Sequence, residues 1–299
     1  MSDLSIQGFY RRYDTNHDGN ISSNEINSNN AAFTKAFLGA NRQVQLALLC
    51  RMSEKDKLVL FRSIQEHARS AGDSESQKSC LKATSIVGAS IAANMRPINN
   101  FQDLALNTLM FMHNNIKYVG NVINPKSRDA AEWSGARVLA EGNYNGCVEA
   151  VKLFIELYKE AALQKGFTAV ACAYTSSFNL SWATPENLAS GQTPSGHAMV
   201  ELKQAGRVLL INAAMFEHPV LSNNRQDQSS NFLAEHAFIV KVDESGKYFM
   251  DIDGHPEQYQ LFGRGIVPIG QENPNNLFDP TTSNGATRLA VKKYLETKK

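Results

Sequence analysis

The chain has 299 residues and an apolar fraction of 42 %, enough for one large packed domain or a core with an appendage. A formal net charge of +1 gives no electrostatic case for nucleic acid or an anionic membrane surface, and no apolar run reaches the roughly 18 residues of a membrane-spanning helix. The four cysteines, Cys50, Cys80, Cys147 and Cys172, have no zinc-type spacing and are too few to staple such a chain. With no basic-then-apolar leader at the N-terminus, the expectation is a cytoplasmic protein, or one exported without a cleaved signal.

Residues 1–40 predict a helix–loop–helix. Ile6, Phe9, Tyr10 and Tyr13 give an apolar stripe on an entering helix, and Ile26, Phe33 and Phe37 face it from the exiting side. Between them, Asp14, Asn16 and Asp18 put oxygen ligands at loop positions 1, 3 and 5. Gly19 at position 6 allows the sharp turn, and Asn20 at position 7 offers its backbone carbonyl. Ser22 at position 9 acts directly or through water, and Glu25 at position 12 can bind through both oxygens. Over residues 5–37 the chain resembles the EF-hand family, which implies one Ca²⁺ held by Asp14, Asn16, Asp18, Asn20, Ser22 and Glu25. No second loop of this kind is found. Asp251–Gly254 fails at positions 1 and 12 and reads as a strand ending in an Asp-Gly turn. A structural or docking role for the ion is therefore expected, with Glu25→Gln lowering stability only when calcium is present.

Further along, residues 52–70 carry a helical pattern in Leu58, Leu60, Phe61 and Ile64, with Ser53 as N-cap and Glu54 and Asp56 in the first turn. Residues 71–78 read as a polar break, and 79–95 and 103–117 as helices.

At 143–150 the sequence is Asn-Tyr-Asn-Gly-Cys-Val-Glu-Ala. An apolar helical pattern (Val148, Val151, Phe154, Ile155, Tyr158) begins just after Cys147 and extends to about Ala162. Gly146 thus delivers Cys147 to a helix N-terminus, where free N–H groups and the helix dipole favour a thiolate, the nucleophilic form. Two strand-like runs, 197–202 and 207–212, flank Lys203-Gln204-Ala205-Gly206. A four-residue turn there pairs Leu202 with Arg207 and His197 with Asn212. Such neighbours lie roughly 4.5–5.5 Å apart at Cβ, which suits a general base held by an orienting amide. A competing pair, His236 and Asp251, lies on later strand-like segments. Candidate second donors to an oxyanion, beside the Cys147 N–H, are Asn143, Asn145 and Trp133.

Over residues 100–215 the chain resembles the transglutaminase-like branch of the papain-like superfamily: a cysteine opening a helix, a Gly-His-Ala strand (here Gly196-His197-Ala198), and a third residue fifteen positions after the histidine. Asn212 takes the place of the usual aspartate. The resemblance implies a Cys147–His197–Asn212 triad and acyl transfer on amide bonds of a protein or peptide. Water as acceptor makes a peptidase or deamidase, and an amine co-substrate makes a transglutaminase. The rival reading is a calcium-dependent binding or scaffold protein on a catalytically inactive fold.

The expected architecture is α+β: a helical N-terminal half with an EF-hand, then a transglutaminase-like core whose antiparallel sheet packs on the Cys147 helix. The expected divisions are 1–45 for the calcium module, 46–270 for the core and 271–299 for a tail with a short helix. The polar segments 176–195 and 222–230 are expected to be loops.

Overall fold

The computed structural model describes residues 5–71, 74–119 and 133–167 with their side chains. It adds the turn 213–214 and backbone strand segments within 171–179, 196–204, 207–211, 238–239, 247–252 and 255–261. Two compact units emerge. The first comprises Met1–Ile116, Ala136–Asn143 and Glu156–Thr168; the second comprises Lys117–Gly135, Tyr144–Ile155 and Ala169–Lys299.

The first unit is helical. It opens with α1 (Ile6–Tyr13), α2 (Ser23–Ser28), α3 (Asn30–Gly39), α4 (Arg42–Leu49) and α5 (Glu54–Ser70). It continues with α6 (Ser74–Ala92), α7 (Phe101–Asn115), α8 (Gly135–Glu141) and the last turns of α9 (Cys147–Gln164). Side-chain oxygens fix several of the starts: Ser5, Asn41, Ser53 and Asn100 each accept from a backbone N–H two or three residues on. Phe9, Tyr13, Phe33 and Phe37 form one buried aromatic cluster, with Tyr13 and Phe33 edge-to-face at 5.0 Å. A second cluster sets Phe61 of α5 edge-to-face with Phe111 of α7 at 5.4 Å. Helix α6 starts five residues earlier than expected, because the polar run Ser74–Lys78 makes an exposed first turn rather than a break.

The packing around Gly88 of α6 leaves no room for a side chain. A Cβ there would lie 3.0 Å from Leu157 of α9, 3.2 Å from Phe61 and 3.4 Å from Phe111. Helix α9 therefore lies directly against α6. Ser85 donates to Glu156 at 2.7 Å and Gln164 to the Ile86 carbonyl at 2.9 Å, tying the same two helices.

These contacts correct the expected fold class. Of the residues with described side chains, 71 % are helical, and the sheet among them is a two-stranded parallel pair, β1 (Lys117–Tyr118) with β2 (Asn143–Tyr144). The α+β, transglutaminase-like core with an antiparallel sheet packed on the Cys147 helix is not what they form. The apolar face of α9 that the sequence pattern assigned to a sheet is met, over its last turns, by α6. Periodicity reveals that a helix face is covered, not what covers it.

In the second unit, Tyr118 and Tyr144 flank the parallel pair with ring centroids 5.3 Å apart. The remaining strands are described through their backbone: β3 (Ala171–Asn179), β4 (Gly196–Gln204), β5 (Arg207–Ile211), β6 (Phe238–Ile239), β7 (Lys247–Ile252) and β8 (His255–Leu261). They hydrogen-bond in the order β6-β5-β4-β3-β8-β7. Two residues separate β4 from β5, so Gln204 pairs with Arg207 and Leu202 with Leu209, not Arg207. The favoured hairpin length is two residues because its turn matches the twist of the strands. Lys203 and Gln204, expected in the turn, belong to the strand.

Candidate functional site

Two sites follow from these elements: an oxygen-rich loop between α1 and α2, and a thiol at the start of α9.

In the loop, the carboxylates at either end are buried, Asp14 at 5 % exposure and Glu25 at 7 %. Asp14 accepts the N–H groups of Asp18 at 3.2 Å and Gly19 at 3.0 Å. Asn16 and Asp18 accept from Asp18 and Asn20 at 3.1 and 2.8 Å. Two left-handed residues, His17 (φ 58°) and Gly19 (φ 82°), turn the chain tightly enough for this.

Glu25 closes the loop. One of its oxygens accepts the Thr15 N–H at 2.6 Å, the Thr15 hydroxyl at 2.9 Å and the Asn16 N–H at 3.3 Å. The other accepts the N–H and hydroxyl of Ser22, both at 2.9 Å. Ser22 in turn caps α2, giving a reciprocal capping box with Glu25. Burial pushes the Glu25 carboxyl up, but the hydrogen bonds from Ser22 and Thr15 outweigh it and hold the group at about 2 against an ordinary 4.5.

These donors fit a hard cation. No ion pair among the described residues involves Asp14, Asp18 or Glu25, so two buried carboxylates stand without a basic partner, and buried charges are ordinarily paired or bound to metal. The set is all oxygen, as Ca²⁺ prefers. No three His, Cys, Asp or Glu side chains among the described residues are gathered as ligands; the loop carboxylates are turned to the loop's own amides. An ion would have to take Glu25 oxygens from those donors. Because Glu25 also fastens the loop through its own hydrogen bonds, Glu25→Gln is expected to weaken it in chelator as well as in calcium.

At the second site, Cys147 is the first residue of α9 and half-buried. The Gly146 carbonyl accepts the first helical hydrogen bond, from Ala150, which makes Gly146 the N-cap. Lacking a side chain, Gly146 makes no cap bond of its own. Glu149, fully buried in the first turn, accepts the N–H of Asn145, the residue before the cap, at 2.8 Å. The side-chain oxygen of Asn145 is buried and has no hydrogen-bond partner among the described residues. Asn143 donates to the Glu141 carbonyl at 3.3 Å, and Trp133 is half-buried.

His197 lies in β4, paired with Ser177 of β3. The β4–β5 ladder begins at Val200 opposite Ile211, a register displaced by two residues from the expected His197–Asn212 pairing. A shift of two keeps the alternation of faces. Asn212 itself lies outside the described residues, as does His236. Asp251 pairs with Pro256 in β7. Strand β6, which begins two residues after His236, and β7 are opposite edges of the sheet, five strand spacings or about 24 Å apart.

No protein-family model matches the chain, and no curated protein or solved structure matches it. Sequence reasoning missed Thr15, Glu149 and the bond that the Asp56 carboxylate accepts from the Ser23 N–H at 2.5 Å. Glu149 stands three residues after Gly146, within reach of the backbone ahead of the helix, so that spacing was a usable signal.

Proposed function

We propose that this chain is a calcium-binding, cysteine-dependent acyl-transfer enzyme acting on amide bonds of a protein or peptide. The observation that carries the reading is Cys147 itself, half-buried at the first residue of an 18-residue helix, on a loop fixed by Glu149. The Cys147 thiolate adds to the amide carbonyl carbon. The C–N bond then breaks, and His197, which took the thiol proton, returns it to the leaving amine. Asn212 is assigned to orient the imidazole. Water or an amine resolves the thioester, giving hydrolysis, deamidation or transamidation, and the thiol is regenerated.

Asp14, Asn16, Asp18, Asn20, Ser22 and Glu25 would hold the calcium ion. When bound, it supplies the positive charge that the two buried loop carboxylates lack. Among the described residues no helix is long and apolar enough to cross a membrane.

The test is turnover on a pool of glutamine-containing peptides with an amine donor, read by mass spectrometry. Wild type is expected to cleave, deamidate or aminate, and Cys147→Ala to do none of these. Equal product from both would refute the assignment. One observation favours the rival reading of a calcium-dependent binding or scaffold protein: the β4–β5 register moves the expected partner of His197 by two residues. That reading predicts no turnover by wild type.

A further inference from the structure

Inside the first compact unit, the C-terminal ends of α6 and α9 border an open cleft of about 420 Å³. We propose that this cleft binds a small carboxylic acid with an apolar body, taken as its carboxylate anion. The proposal does not rest on the reading of Cys147.

The way the two helices stop shapes the cleft. Past α6, the Asn94 N–H donates to the Ile91 carbonyl at 3.0 Å and the Met95 N–H to the Ala92 carbonyl at 3.4 Å. Past α9, the chain turns at Gly166 (φ 70°), whose N–H donates to the Leu163 carbonyl at 3.3 Å, and the Phe167 N–H donates to the Ala162 carbonyl at 2.9 Å. That paired closure reverses the chain and brings Phe167 back as a wall of the cleft. Asn107 of α7, itself buried, donates to the Arg96 carbonyl at 3.0 Å and fixes the backbone of the other wall.

Met95, Pro97, Ile98 and Phe167 give the cleft an apolar lining. Its volume falls within the roughly 300–1,000 Å³ of small-molecule sites, which join such a lining to a few polar groups. Here the polar groups are cations. Lys165 and Arg96, both exposed, line the same cleft. The Lys165 ammonium donates to Asn94 Oδ1 at 2.9 Å, and Asn94 Nδ2 donates to the Ser90 carbonyl at 2.6 Å, so the ammonium is held in place with donors to spare. The ion pairs among the described residues engage Arg42, Lys57 and Lys78, and neither cation of the cleft.

Basic side chains near helix C-termini ordinarily serve the last carbonyls. In this cleft the backbone amides already occupy the carbonyls of Ile91, Ala92, Ala162 and Leu163, and Asn94 occupies that of Ser90. The two cations are left for a ligand. Helix polarity also sets the ligand's charge. Each C-terminus carries about half a negative charge, which opposes a dianion such as a phosphate monoester more than a single carboxylate. Phosphates favour helix N-termini, and none borders this cleft. A carboxylate matches the planar fork of Arg96, with the Lys165 ammonium beside it.

The test is titration calorimetry of the full chain with three probes: 3-phenylpropionate, the uncharged 3-phenylpropanamide and phenyl phosphate. One equivalent of 3-phenylpropionate is expected to bind, with the amide and the phosphate each weaker by about tenfold or more, the loss of one charge-assisted hydrogen bond. Arg96→Gln and Lys165→Gln, at exposed positions, are expected to melt as wild type does and to bind 3-phenylpropionate about tenfold more weakly. No binding of 3-phenylpropionate overturns the proposal. Equal binding of acid and amide overturns it as well, because the cations then select nothing, and this arm needs no variant to fold. Tighter binding of phenyl phosphate overturns the assignment of a single charge. Full affinity in both variants places the bound acid outside this cleft and overturns the site.

Discussion

Glu25→Gln removes a negative charge from an acceptor of five hydrogen bonds in the calcium loop. The folded carboxyl is held at about 2, against 4.5 for the free group. Each unit of that gap corresponds to about 1.4 kcal/mol, so the ionised group contributes on the order of 3 kcal/mol to stability without metal. A depressed carboxylate contributes fully above its unfolded value and loses its contribution as pH falls toward the folded one. The gap between wild type and Glu25→Gln in chelator should therefore be widest near pH 7 and shrink steadily from pH 4.5 to pH 2. Urea unfolding at a series of pH values in chelator measures it. In Ca²⁺ the gap should widen further, because an ion that binds only the folded state adds about 2.7 kcal/mol at a hundredfold excess over its Kd. Identical unfolding of the two proteins in chelator at pH 7, or a gap that does not narrow on acidification, would mean that the Glu25 carboxylate does not stabilise the fold in this way.

Gly88→Ala should lose about 1–3 kcal/mol by urea unfolding, since its Cβ would press on Leu157, Phe61 and Phe111; unchanged stability would mean that α6 and α9 are not in tight contact. Gly142→Ala should also destabilise, by about 1–2 kcal/mol, from its positive φ alone, checked by thermal melting. His197→Ala should abolish peptide turnover and His236→Ala should leave most of it, and the reverse result in the same assay would move the base to His236.

Local signals were legible where one short stretch of chain decides the outcome. Ser53 was read as an N-cap with Asp56 in the first turn, and in the structure Ser53 accepts the Asp56 N–H. The apolar spacing places Phe9, Phe33 and Phe37 on the inner faces of the helix–loop–helix, and all three are fully buried. The start of α9 at Cys147 followed from the Gly146 break and the apolar period after it.

What depends on distant residues was not legible. The covering of α9 by α6 turns on Gly88, whose only sequence mark is the absence of a side chain. The hairpin register turned on whether Lys203 and Gln204 continue the strand, a choice made by ladder hydrogen bonds rather than by residue type. The second bond of Asp56, to Ser23, spans 33 positions and leaves no pattern in the sequence. The same holds for the five donors on Glu25, because a loop template names ligands and not the bonds they make without an ion.

Competitive alkylation measures whether Cys147 is an activated nucleophile. Cys50 is exposed, Cys147 half-buried and Cys80 buried, so access alone ranks Cys50 fastest. A thiolate stabilised at a helix N-terminus reverses that order at a pH where ordinary thiols are protonated. With limiting iodoacetamide near pH 6 and modification read peptide by peptide, Cys147 should be labelled well ahead of Cys50, with Cys80 behind both. Cys50 labelled first, with Cys147 trailing in proportion to its burial, would contradict it.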